Sequence, residues 1–253
     1  MKKNYILKYI VYVLIIGLTS TYLIMLSYGY RINFQAKKIQ KTSVIYLASL
    51  PRSVNVYINN KLLSDATPLR YTYVFPGYYD VKLEKEGYYD WEKSFNVIPD
   101  YISQDSDVIM ILKDRPETEI LDNDKENYLK ELQSEDKQKN ASKGLEVKNG
   151  SEIYINDKYV TRLSSEIKNI VWYADNQHII YQADDKIYFM DIDGTNSKLL
   201  VQLPGKDKSE FISTSEGRYL VYKYQDKIVR VQITNISSIL TEKYFNKAAK
   251  IIK

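Results

Sequence analysis

The sequence predicts a mainly β protein carried on one N-terminal transmembrane helix, and three observations predict it. Residues 9–30, YIVYVLIIGLTSTYLIMLSYGY, opened by Tyr9 and closed by Tyr30, hold no charge. The chain after them alternates apolar and polar residues in short runs broken by Pro, Gly and Asn, the period-two pattern of half-buried strands. Its 25 tyrosines, set among many Val and Ile, suit pleated surfaces, where flat and β-branched side chains pack well. The expected order is a cytoplasmic head and signal anchor at 1–31, a stalk at 32–43 and a small antiparallel β-sandwich at 44–112. A charged linker at 113–144, repeated β units at 145–236 and a short basic tail helix at 237–253 follow.

As a helix the uncharged stretch is about 33 Å long, against a hydrocarbon core of about 30 Å. Eleven of its residues are Ile, Leu, Val or Met, and their insertion free energies sum to roughly −5 kcal/mol. Tyr9, Tyr12, Tyr28 and Tyr30 stand where interfacial aromatic belts form. The apolar run is longer than a signal-peptide core, and no Ala-x-Ala cleavage pattern follows, so the stretch reads as an uncleaved signal anchor. Lys2, Lys3 and Lys8 before it nearly balance Arg31, Lys37, Lys38 and Lys41 after it. The short basic head is expected to stay inside, which makes this a single-pass protein with extracytoplasmic C-terminal domains. Membrane lipid is the partner expected for Tyr9 through Tyr30.

The location of charge excludes nucleic acid. The formal net charge is +4, but Lys2, Lys3, Lys8 and Arg31 meet no acid within residues 1–31. Removing these four from the 36 bases leaves 32, equal to the 32 acids. An ectodomain without a cationic excess has no footprint with which to release phosphate counterions. There is no cysteine, hence no disulfide framework or thiolate metal site. The single histidine, His178, lies in QHIIYQ and is expected on a strand surface. No cofactor, metal or catalytic residue is expected, and the chain is read as non-enzymatic.

From Val44 the strands can be taken in turn. VIYLAS is followed by Pro51 and VNVYIN, in which Val54, Val56 and Ile58 share one face. Asn59 and Asn60 close a hairpin, because Asn tolerates the positive φ of a primed turn. Thr67-Pro68 and RYTYVF precede Pro76-Gly77, a pair suited to a type II turn. Tyr79, Val81 and Leu83 then alternate with Asp80, Lys82 and Glu84. Beyond Glu86-Gly87-Tyr88, a strand with Trp91, Phe95 and Val97 inward and an apolar strand ending at Leu112 complete the module. The order of Pro51, VNVYINNK, Thr67-Pro68, Pro76-Gly77-Tyr78 and Glu86-Gly87-Tyr88 resembles the PEGA domain of bacterial surface proteins over residues 44–112. Here PRSV stands for the tetrapeptide that names the family, and Asn59-Asn60 for its usual Asp-Gly. The resemblance implies a non-enzymatic envelope module with no catalytic residues to carry over.

Residues 113–143 hold sixteen charges of both signs in thirty-one positions. Such a stretch buries too little apolar surface to offset ordering, so it is expected to be a solvated linker; Tyr128, Leu129 and Leu132 would allow one short helix. After it the chain repeats. NIVWYADNQHIIYQADDKIYFMDI from Asn169 aligns without a gap on EFISTSEGRYLVYKYQDKIVRVQI from Glu210, at a period of 41, and SEIYINDKYVTRL matches only the second half of the unit. A multi-stranded repeat of about forty residues has the period of propeller blades. With Asp191-Ile192-Asp193-Gly194 as its outer hairpin, the repeat resembles the TolB-type propeller blade over residues 151–233. About two and a half propeller-like blades cannot close a ring, so the open blade edges are expected to stack within the chain or to support self-association. Asp191, Asp193 and Asn196 lack the spacing of a helix-loop-helix calcium loop and are read as a turn. In the tail, Leu240, Tyr244, Ala248 and Ile251 lie near one helical face.

The expected function is binding or scaffolding of other envelope proteins or cell-wall components by the β modules. Aromatic density in RYTYVF, PGYYD and EGYYDW marks Tyr73, Tyr78, Tyr88 and Trp91 as a candidate ligand surface, since aromatic faces stack on sugar rings. The alternative is a glycan-active or other hydrolase working through a carboxylate pair.

Overall fold

A computed structural model describes residues 3–120, 122–135 and 144–236. The expected tail helix at 237–253 lies outside the described residues. The protein is mainly β, with an apolar N-terminal helix, several antiparallel sheets and no closed barrel among the described residues. It divides into two compact units. The first comprises Met1–Leu47, Leu69–Asp80 and Ser94–Asp105; the second comprises Ala48–Pro68, Val81–Lys93 and Ser106–Lys253.

In the first unit, α1 spans Lys3–Ser27, and its Tyr5–Ser27 portion is long and apolar enough to cross a membrane. It stops three residues before the expected Tyr30, because Gly29 takes φ +83 and turns the chain. The stretch read as a stalk is instead a β-hairpin, β1 (Tyr30–Asn33) paired with β2 (Lys38–Lys41). Asn33 closes it: its amide donates to Gln40 Oε1 at 2.8 Å, and its carbonyl oxygen accepts the Ala36 N–H at 3.0 Å. The hairpin is tied to the helix end, since Thr42 gives both its N–H and its hydroxyl to Gly29 O, at 2.9 and 2.8 Å.

The strands of the 44–112 module are β3 (Ser43–Leu50), β4 (Asn55–Ile58), β5 (Lys61–Ala66), β6 (Leu69–Val74), β7 (Gly77–Glu84), β8 (Trp91–Val97) and β9 (Ile102–Ile109). They form two sheets, ordered β6-β3-β9 and β5-β4-β7-β8. Val54, Val56, Ile58, Val81, Leu83, Trp91, Phe95 and Val97 are all buried, as their alternation predicts. Asn59 and Asn60 take φ +49 and +61 and close the β4–β5 hairpin. Pro76-Gly77 departs from expectation: Gly77 enters β7 at φ +153, far from the roughly +80° of a type II turn.

The rest of the second unit holds three antiparallel sheets. The first is β11 (Leu145–Lys148), β12 (Glu152–Ile155) and β13 (Lys158–Arg162) in that order. The second runs β14 (Ile167–Trp172), β15 (His178–Ala183), β16 (Lys186–Asp191) and β17 (Lys198–Gln202). The third contains β18 (Glu210–Ser213), β19 (Tyr219–Tyr224) and β20 (Lys227–Gln232). The 41-residue period is structural as well as sequential. Val171 faces Ile180 as Ile212 faces Val221, and the turn bond from Tyr173 N–H to His178 O recurs from Thr214 to Tyr219.

The charged 113–143 stretch is the main correction. Its residues Glu117–Glu119 form β10, which pairs with the outer edge of β20, and Asp122–Glu135 form the helix α2. Leu132 is 2% exposed and packs with Ile212, Val221 and Ile228; Tyr128 and Leu129 lean on the same cluster. A few apolar residues one turn apart found an apolar sheet face, which overrode the charge-rich composition. The largest core of the unit joins Val171, Tyr173, Ile180, Phe189, Phe211 and Leu220 to Leu50, Ile109 and Ile111.

Candidate functional site

The four aromatic candidates do not form one surface. Tyr88 and Trp91, in the second unit, are 7% and 3% exposed and offer no ring face to a ligand. Tyr73 and Tyr78, in the first unit, are 60% and 78% exposed. Trp91 follows the alternation of β8, Tyr88 lies before that strand at an isolated bridge to Leu112, and in both cases the partner comes from remote sequence. Trp91 Nε1–H donates to Asp191 Oδ2 at 2.8 Å.

Tyr73 sits on a β-bulge. Ser43 faces Val74 while Val44 faces Thr72, so Tyr73 is the extra residue of β6, held at φ +61. A bulky side chain in the left-handed region is strained by about 1 kcal/mol or more. The ring at this bulge is exposed and lies beneath the Arg31 guanidinium, at 4.3 Å from its centroid. Arg31 Nη1 also donates to Leu26 O and Tyr30 O, both at 2.8 Å, so one cation caps the last turn of α1 and stacks on Tyr73. Tyr73 lines an open cleft of about 270 Å³ with Gly29, Thr42, Arg70, Thr72 and Tyr101 among others. Asp100 closes one side through its 2.6 Å bond to Lys41, which pushes the lysine upward in pKa. Arg31 reads in the sequence only as a flanking charge, although a cation just past a helix end is the residue type that satisfies C-terminal carbonyls.

The second unit holds a buried acid–histidine chain that sequence reasoning missed. His178 is 4% exposed, not on a strand surface, because β15 is covered on both faces: Ile180 packs into the larger core, while Ile179 and Tyr181 pack against Leu145, Ile153 and Met190. Its ring stacks on Phe189 at 4.9 Å between centroids. Nδ1 is 2.7 Å from Asp175 Oδ2, and Nε2 is 3.4 Å from Asp191 Oδ1. Burial opposes the charged ring, but the carboxylate of Asp175, its hydrogen bond and then Asp191 outweigh it, raising the pKa from 6.5 to about 9.

Asp191 passes this network on to the strand at Trp91. Asn196 donates to Asp191 Oδ2 at 3.0 Å and clamps the Glu92 backbone, accepting its N–H and donating to its C=O, both at 3.0 Å. Asp193 pairs with Lys93 at 2.7 Å and accepts the Thr195 N–H and hydroxyl. Partial burial opposes ionisation of Asp193, but Lys93 and Thr195 hold its carboxyl below the usual range. Asp191 Oδ2, both Asp193 oxygens and Asn196 Oδ1 are thus occupied by protein donors, buried Asp191 Oδ1 has the His178 ring at 3.4 Å, and the turn bond from Gly194 N–H to Asp191 O is in place. Among the described residues no group of three His, Asp or Glu side chains is placed to hold a metal ion. The constellation is built to join the 191–196 hairpin to the strand residues 91–93.

The family model of the PEGA domain matches residues 42–102. No curated protein matches the chain.

Proposed function

We propose that this chain is a non-enzymatic, membrane-anchored envelope protein whose extracytoplasmic β modules bind or scaffold other envelope proteins or cell-wall components. The observation that carries this reading is the contrast between its two polar assemblies. The titratable cluster around His178 is buried and its charges are paired within the fold, whereas Tyr73, Tyr101 and Arg70 lie exposed around an open cleft beside the end of α1. The PEGA match supports an envelope setting. The apolar Tyr5–Ser27 segment supports anchoring, and the short basic head supports an outward ectodomain. The 41-residue units read as propeller-like blades, with β10 from upstream supplying the fourth strand that β17 supplies in the preceding sheet. The end strands β13 and β17 are the edges through which copies would self-associate.

Affinity capture of the crosslinked full chain from its own cell envelope tests the proposal. A recurring protein or bound cell-wall polysaccharide, reduced in Tyr73→Ala and Tyr78→Ala, is expected. Retention of neither, with both variants behaving like the parent, would reject it.

A further inference from the structure

The β1–β2 hairpin is amphipathic in the wrong sense for water. Ile32 faces Ile39 across the ribbon, and the Tyr30–Lys41 pair at the helix end shares their face, with Lys41 held by Asp100; Arg31 and Gln40 pair on the opposite face with Asn33 and Lys38. The apolar face is the open one. Ile32 is 45% and Ile39 54% exposed, and Phe34, which opens the loop, is 82% exposed, while Arg31, Asn33 and Gln40 are half-buried. A two-stranded ribbon is marginal in water, and turning its apolar side outward makes it worse.

What covers that face is set by where the hairpin hangs. It begins three residues after α1 ends, and Gly29 and Arg31 bind it to the last helical turn through the Thr42 and Leu26 bonds. A helix long and apolar enough to span a bilayer therefore delivers the ribbon to the bilayer surface. Lys37 and Lys38, exposed at its tip, supply positive charge at headgroup level.

We infer that the β1–β2 hairpin is a second membrane contact: Ile32, Phe34 and Ile39 enter the lipid interface, and Lys37 and Lys38 meet anionic headgroups. Such elements sit at the headgroup and acyl boundary, where apolar burial and electrostatic attraction add. The consequence is orientation, because a helix alone leaves the ectodomain free to swivel, whereas helix plus ribbon presents the Tyr73 cleft at a defined angle to the bilayer. The inference rests on the anchoring reading above.

The chain has no cysteine, so one introduced thiol labels one place. The full-length F34C and Y159C variants, each carrying an environment-sensitive fluorophore, are reconstituted one copy per nanodisc of phosphatidylethanolamine and phosphatidylglycerol. Tyr159, 53% exposed on β13, serves as the water reference. The label at 34 is expected to shift to the blue and to resist dithionite severalfold longer than the label at 159. Adding Ile32→Asn and Ile39→Asn is expected to abolish that protection while the chain still co-elutes with the discs. Equal dithionite rates at 34 and 159 in co-eluting protein would overturn the inference and leave anchoring intact. Protection that appears only with several copies per disc would assign the face to a second copy, which also overturns it. A chain that does not co-elute would remove both readings.

Discussion

Two residues hold conformations or charges that their own sequence neighbourhood would not select. Tyr73 keeps a left-handed backbone because the bulge opposite Ser43 and Val44 leaves it no partner position, and Arg31 then occupies the face it presents. His178 is a buried cation between two acids. Its ring titrates near 6.5 when unfolded and about 9 when folded, so the proton bound in the folded state stabilises fully below 6.5. That contribution, on the order of 3 kcal/mol, is lost as pH rises from the first value to the second. Thermal melts in detergent should therefore show a falling melting temperature across that window. In His178→Asn the slope should flatten, and stability should fall by about 3–5 kcal/mol at neutral pH, because Asp175 and Asp191 then face each other without a cation. An unchanged slope in His178→Asn would assign the pH dependence elsewhere.

At the scale of elements, period-two alternation located β4, β7 and β8 and named their inward residues, because each carries one buried and one wet face. The Asn59-Asn60 turn was legible for a similar reason: its backbone demand is local. The 113–143 stretch was legible only in part, as the allowance of one short helix at Tyr128, Leu129 and Leu132. Its charges describe the solvent side of α2 well, but three apolar residues sufficed once the face of β18, β19 and β20 was there to receive them. Leu132→Ala should accordingly cost about 2–5 kcal/mol, as for a buried core leucine, where a solvated linker would lose almost nothing. Chemical denaturation of the two chains separates these outcomes. The hairpin β1–β2 was likewise hidden, since four-residue strands give too short an alternation to distinguish from a polar stalk.

At the scale of the whole molecule, the reading of one anchored chain with exported modules predicts a topology. A C-terminal alkaline phosphatase fusion should be active and a C-terminal green fluorescent protein fusion dark when exported in unfolded form. The reverse pattern would place the modules inside. A soluble, N-terminally trimmed product in the culture medium would instead identify α1 as a cleaved signal.

By itself the sequence determined the apolar helix, the neutral cysteine-free remainder, the strand alternation and the period of 41, all properties set by residues near one another along the chain. Tertiary structure decided which of the candidate aromatics face water, where the lone histidine lies and what the charged stretch does. Trp91 is buried on Asp191, 100 residues away, and β10 pairs with residues 110 to 114 positions later. Burial depends on what arrives to cover a surface, and loop closure over such distances leaves no local period to read.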